Sequence, residues 1–149
     1  MYTRILLPLD GSDLAERALP HAQGLARSFG ATLHLLHVIS RGEELAARPI
    51  SPSDEYREMT RETIEAQNAR SREYLEGLAK PLRESGVSVE TDIRHGSVDQ
   101  KIVEYARESE IDLITMSTHG HGGIRHLMLG SITDRVLHSS HVPVLVLPH

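Results

Sequence analysis

The chain has 149 residues, enough for one domain with a substantial core, and aromatic residues make up only 3% of it against 39% for all hydrophobic types, so that core must be aliphatic. A formal net charge of −5, with no basic stripe and no interleaved aromatics, leaves nucleic-acid binding without electrostatic support. The absence of cysteine excludes disulfides and thiol catalysis and fits a reducing cytoplasm, where the chain is expected to reside.

Arg4–Leu9 reads as the first strand and closes in Pro8-Leu9-Asp10-Gly11-Ser12. Its apolar run is interrupted by Pro8 and far too short for a signal peptide or a membrane span. Ser12 caps a helix predicted to run to about Phe29, with Leu14, Ala18, Leu19, Ala22, Leu25 and Ala26 on one face and Gly30 as its stop. Thr32–Ile39 is a second strand, apolar enough to be buried on both faces as in a parallel sheet. Ser40 to Pro52 carries mixed charges, Gly42 and two prolines, and reads as a surface loop. Ser53 caps the longest helix, whose charged early turns are a solvated face and whose apolar face includes Met59, Ile64, Tyr74, Leu75, Leu78 and Leu82. Pro81 should kink or interrupt it.

Gly86 ends that helix, and Val87–Ile93 alternates as a third strand, half exposed and near a sheet edge. Ser97 with Gln100 forms a capping box for a helix through Arg107. Ile111–Met116 is the fourth strand, and it stops abruptly at Ser117-Thr118-His119-Gly120-His121-Gly122-Gly123. After the short apolar turn Ile124–Leu129 come Gly130 and Ser131. Ser131 caps a helix from Ile132 to about His138, with Asp134 in its first turn. Val142–Leu147 is the fifth strand.

Strands alternating with helices make a single α/β domain over residues 1–149, with a mainly parallel sheet and right-handed crossovers. Ligands of such sheets bind beyond the carboxyl ends of the strands, where the strand order reverses. The first strand ends in Asp10, the fourth in a glycine loop that leads to a fresh helix N-terminus, whose unpaired amides suit an anion. The loop is neither G-x-G-x-x-G nor a P-loop, because Arg125 follows Gly122 by three and no Gly-Lys-Ser/Thr occurs. On spacing alone a phosphate loop and a tight glycine turn read equally well.

Four features taken together resemble the universal stress protein family from end to end. These are the P-x-D-G-S close of the first strand, His37-Val38-Ile39 at the end of the second, S-x2-G-x9-G-S from Ser117 to Ser131, and the terminal Pro143-Val144-Leu145-Val146-Leu147. The nucleotide-binding branch of that family carries G-x2-G-x9-G-S/T at the loop. Gly120, Gly130 and Ser131 match it, and Ser117 stands where the family has its first glycine. The resemblance implies a Rossmann-like five-stranded parallel sheet in the order 3-2-1-4-5 with helices on both faces. It also implies ATP between the first and fourth strands, a homodimer, and a role in regulating the stress response. Carried over by position, Pro8, Asp10 and Val38 would lie around adenine and ribose. Met116, Ser117 and Gly120 would line the adenosine and the approach to the phosphates, which Gly130, Ser131 and Ile132 would hold.

Asp10 could contact a ligand or cap the following helix. His119, His121 and His126 lack a recognised metal-ligand spacing and read as loop-surface groups, while His34 and His37 read as structural. No serine is visibly paired with a base, so any hydrolysis would fall to Mg²⁺ and a loop-held water and be slow. Beside the regulatory reading stand a slow ATP-hydrolysing enzyme and a nucleotide-free dimeric scaffold. The fifth strand, an aliphatic edge in the implied order with nothing after it in this sequence to cover it, is expected to pair with the same strand, Val144–Leu147, of a second copy.

Overall fold

The computed structural model describes residues 1–40, 54–118 and 129–148, with side chains in the second segment from residue 60 onward. The loop expected beyond Ser40, the Ser53 cap, the Met59 side chain, and the loop with Gly120, His119, His121, Arg125 and His126 lie outside them.

Five parallel strands form one sheet: β1 (Arg4–Leu9), β2 (Thr32–Ile39), β3 (Val89–His95), β4 (Leu113–Ser117) and β5 (Val144–Leu147), in the order β3-β2-β1-β4-β5. The helices are α1 (Asp13–Glu16), α2 (Leu19–Phe29), α3 (Asp54–Glu84), α4 (Val98–Glu108) and α5 (Ser131–Ser139). β1 lies mid-sheet, in register with β2 from Arg4↔Thr32 to Leu9↔His37 and with β4 at Ile5↔Leu113 and Leu6↔Ile114.

The two-residue period of a strand sorts its side chains between two cores. Ile5, Leu7, Leu9, Leu33 and Leu35 pack against Ala15 of α1, Ala22 and Ala26 of α2, and Leu75, Ala79 and Leu82 of α3. Leu6, Leu36, Val38, Ile114 and Met116 face Ile102, Tyr105 and Ala106 of α4 and Val136 of α5. Ile5, Leu6 and Leu7 are wholly buried. Each such aliphatic side chain contributes about 1.5–3 kcal/mol by leaving water, which makes the middle strand the firmest element of the fold. Among the described residues no helix is long and apolar enough to cross a membrane.

Several expected boundaries shift, each for a local reason. The helix predicted from Ser12 to Phe29 is two helices, because Pro20 has no N–H to reach the Glu16 carbonyl and its ring would strike that group. Ala18 restarts the chain, with Pro20 in the first turn of α2. Pro81, expected to kink or interrupt the long helix, does not interrupt it; α3 continues to Glu84. The carbonyl it leaves unpaired belongs to Gly77, an exposed position where solvent can satisfy it.

β3 begins at Val89 rather than Val87, since the Val87 amide is spent on the Leu82 carbonyl that closes α3. β4 likewise begins after Ile111, whose amide caps α4 at Ala106. Val142 turns on the Ser140 hydroxyl, so β5 starts at Val144. The capping box at Ser97 is not formed, because the Ser97 hydroxyl donates to Asp99 Oδ1 at 3.0 Å.

His34 of β2 is buried in the α4-side core, with Nδ1 3.0 Å from Tyr105 Oη and 3.6 Å from Glu90 Oε2. Its Nε2 is buried with no hydrogen-bond partner among the described residues.

Candidate functional site

The strand order reverses between β1 and β4, and there the two strand ends singled out by the sequence lie side by side. Val38 and Met116 are buried in the α4-side cluster, with Ile132 packed against it, so one apolar wall carries three of the expected residues from β2, β4 and α5. Pro8, two residues after Leu6 on β1, falls on the same face by alternation and is half-buried.

Across from that wall, Asp10 organises the turn after β1. Its Oδ1 accepts from the Ser12 amide at 2.9 Å and from the Ser12 hydroxyl at 2.5 Å. The Ser12 hydroxyl in turn accepts from the Ala15 amide at 3.2 Å, capping α1. Gly11 between them holds φ +81°, a left-handed conformation that a side chain would strain, which is why the turn reads Asp-Gly-Ser. Asp10 therefore has a structural task in the turn. It also stands just past the carboxyl end of β1, the end of the sheet at which ligands of such folds bind.

The base of the glycine loop is closed by the backbone. The Gly130 amide donates to the Thr118 carbonyl at 2.7 Å, and the Thr118 amide donates to the Leu147 carbonyl at 3.0 Å. The Thr133 hydroxyl, buried in the first turn of α5, donates to the Ser117 carbonyl at 3.1 Å. Ser117, Gly130 and Ser131 are thereby gathered at one point, while Gly120 lies outside the described residues. Ser131 is the first residue of α5 and does not cap it. The cap is Gly130, at φ −56°, a conformation any residue adopts. The first-turn amides of α5 have no acceptor within the helix, and the positive end of its dipole opens at the carboxyl end of β4.

Sequence reasoning missed Thr118 and Thr133; a threonine three residues into a helix that follows a strand was their only signal. It also assigned no site role to the group beneath the Asp10 turn. His37 Nδ1 lies 2.9 Å from Ser71 Oγ, and the His37 ring stands edge-on to Tyr74. Burial pulls the His37 imidazole below its ordinary value, while nearby Asp10 pulls the other way. An open groove of about 440 Å³ along α4, lined by Asp99, Val103, Arg107, Glu108 and Ser139 among others, shares none of these residues.

The profile of the Universal stress protein family matches residues 1–148. The chain belongs to that family. Two universal stress proteins of Methanocaldococcus jannaschii are similar to it along nearly its whole length. MJ0531 is 32% identical over 146 residues, covering 98% of this chain and 82% of that protein. MJ0577 is 30% identical over 154 residues, covering 98% and 94%. The solved structure of MJ0577 matches the fold with a TM-score of 0.84, over 100% of this chain and 97% of that one. A universal stress protein family protein from Arabidopsis thaliana, solved with AMP bound, shares the fold at a TM-score of 0.68 and 19% identity, over 99% of this chain and 92% of that one.

Proposed function

We propose that this universal stress protein binds ATP in the crevice between β1 and β4 and acts as a homodimeric regulator of the stress response. Nucleotide occupancy then shifts its conformation or its choice of protein partner. The observation that carries the reading is the closure of the glycine loop, where Gly130 and Thr118 join at 2.7 Å and deliver the N-terminus of α5 to the end of β4. First-turn amides at a topological switch point are suited to a phosphate chain.

The other groups fit the remainder of the nucleotide. Val38, Met116 and Ile132, with Pro8 beside them, supply an apolar wall for a flat base. Asp10 supplies a carboxylate for ribose hydroxyls. Ser117, Gly120, Gly130 and Ser131 frame the approach to the phosphates, with Mg²⁺ as the accompanying cation. The family protein with AMP bound supports adenine as the base.

Ser117, where the nucleotide-binding branch has glycine, favours a second reading, a dimeric scaffold without nucleotide. Native mass spectrometry of the purified protein, followed by titration calorimetry with ATP and Mg²⁺, separates the two. ATP is expected to bind the wild type, and Gly130→Val, whose backbone conformation valine can adopt, is expected to bind at least about tenfold more weakly because the branched side chain blocks close approach. Equal affinities would overturn the phosphate-loop assignment. A wild type that binds no nucleotide would leave the scaffold.

A further inference from the structure

The Asp10–Gly11–Ser12 turn is short of support from its own segment. The helix it caps, α1, is a single turn with one buried side chain, Ala15, and a helix that short has no stability of its own. Besides the packing of Ala15 in the core, it is held from α3. The Tyr74 hydroxyl donates to Glu16 Oε1 at 2.9 Å, a contact across 58 positions of sequence. The backbone of Gly11 lies close enough to the same hydroxyl to favour its ionised form, against the burial and the Glu16 carboxylate that raise it. The phenol thus lies near the middle of the turn and is bonded to the far end of the helix the turn begins. Asp10 lies immediately before the first of those two points.

Tyr74 is itself fixed. Its ring stands edge-on to His37 with centroids 5.9 Å apart, and His37 Nδ1 meets the Ser71 hydroxyl one helical turn earlier on α3. Packing alone would be served by phenylalanine, since the ring fills the space. The hydroxyl is the group that reaches α1, and its half-burial is tolerable because the Glu16 carboxylate accepts from it.

We propose that Tyr74 and Glu16 are positioning residues for the nucleotide's ribose: together they hold the Asp10–Gly11–Ser12 turn so that the Asp10 carboxylate is presented to the ribose hydroxyls. This rests on the nucleotide reading above and adds a residue from α3, outside the crevice, to the determinants of ligand choice. Tyr74 acts through Asp10, so it matters only for ligands that carry the hydroxyls Asp10 reads.

Affinities for ATP and for 2′,3′-dideoxy-ATP, measured by titration calorimetry in the full chain, test this. The wild type is expected to prefer ATP by about tenfold or more, the worth of hydrogen bonds to a charged group. Tyr74→Phe is expected to lose most of that preference while its dideoxy-ATP affinity stays within about twofold of wild type. Glu16→Ala should behave the same way, and Glu16→Gln, which keeps an acceptor oxygen for the phenol, should restore the preference. Adding Tyr74→Phe to Asp10→Ala should change nothing further, because the two act through one carboxylate. Should Tyr74→Phe fail to fold, Glu16→Ala carries the same comparison. A wild type that binds neither ligand overturns the nucleotide reading and this inference with it. A wild type that binds both equally, or variants that lose affinity for both ligands alike or retain the preference in full, overturns the inference and leaves the nucleotide reading standing.

Discussion

One buried and one half-buried histidine make the protein's stability depend on pH in a definite direction. Burial lowers the His34 imidazole below its ordinary 6.5, opposed by Glu90 from β3 and reinforced by Arg4 from β1, with the Tyr105 hydroxyl of α4 against Nδ1. His37 is lowered in the same way, opposed by Asp10. A depressed folded value means that the unfolded chain takes up the proton first, so the stabilisation is complete above about pH 6.5 and is lost as the pH falls below it toward the folded values. Thermal unfolding followed from pH 8 to 5 should show the midpoint falling with acidity. His34→Gln, which cannot titrate, should flatten part of that slope, and an unchanged slope in the variant would rule His34 out as a source. Ser117 poses a different question at the same scale. Ser117→Gly is expected to preserve or tighten ATP binding, by allowing the backbone as close as in the nucleotide-binding branch. If only the glycine variant binds, the wild type is the scaffold.

The elements owe their limits to capping groups. Gly30 closes α2 at φ +65°, with the Ala31 amide returning to the Ala26 carbonyl at 2.9 Å, and a Cβ built there meets nothing within 4 Å. Gly30→Ala should therefore cost about 1–2 kcal/mol from backbone strain alone, read as a lowered midpoint in urea at unchanged slope. Such local devices also decide what the sequence could disclose. Thr32–Ile39 was legible to the residue, because a strand covered on both faces is a mostly apolar run, here broken only by His34 and His37 after its opening Thr32. The starts of β3, β4 and β5 were not, because Val87, Ile111 and Val142 look like strand residues while their amides serve the turn before. The site divides likewise. Motif spacing reaches residues near one another in the chain or fixed by the fold, as with Asp10, Gly130 and Ser131. It has no means of pointing to Tyr74, whose importance comes from meeting Glu16 across 58 positions. Thr133, a hydroxyl directed at a strand-end carbonyl, is hidden in the same way.

At the scale of the whole molecule, β5 is an edge strand of four aliphatic residues, and Leu145 on it is 36% exposed. The dimer proposed through Val144–Leu147 would cover both the backbone edge and that side chain. Leu145→Lys adds charge at an already exposed position, so it should yield a folded monomer, with ATP binding retained because β4 separates β5 from the crevice. Sedimentation of the wild type as a monomer at roughly tens of micromolar would end the dimer proposal. The middle of the strand order carries another consequence. β1 leaves the ribosome before both of its sheet neighbours and yet belongs in the middle of the sheet, between β2 and β4. Its first neighbour, β2, arrives within forty residues, but its second begins only at Leu113. Until then a growing chain displays its central strand, with wholly buried Ile5, Leu6 and Leu7, bare on one side, and the closing contact must bridge a long stretch of chain. The Thr3 amide and hydroxyl, both bonded to Asp112 at 2.7 Å, are tied down at that same late moment. During synthesis, then, the nascent protein depends on whatever shields β1 for most of its length, and a ribosome stalled before β4 would hold a chain with its central strand still open to aggregation.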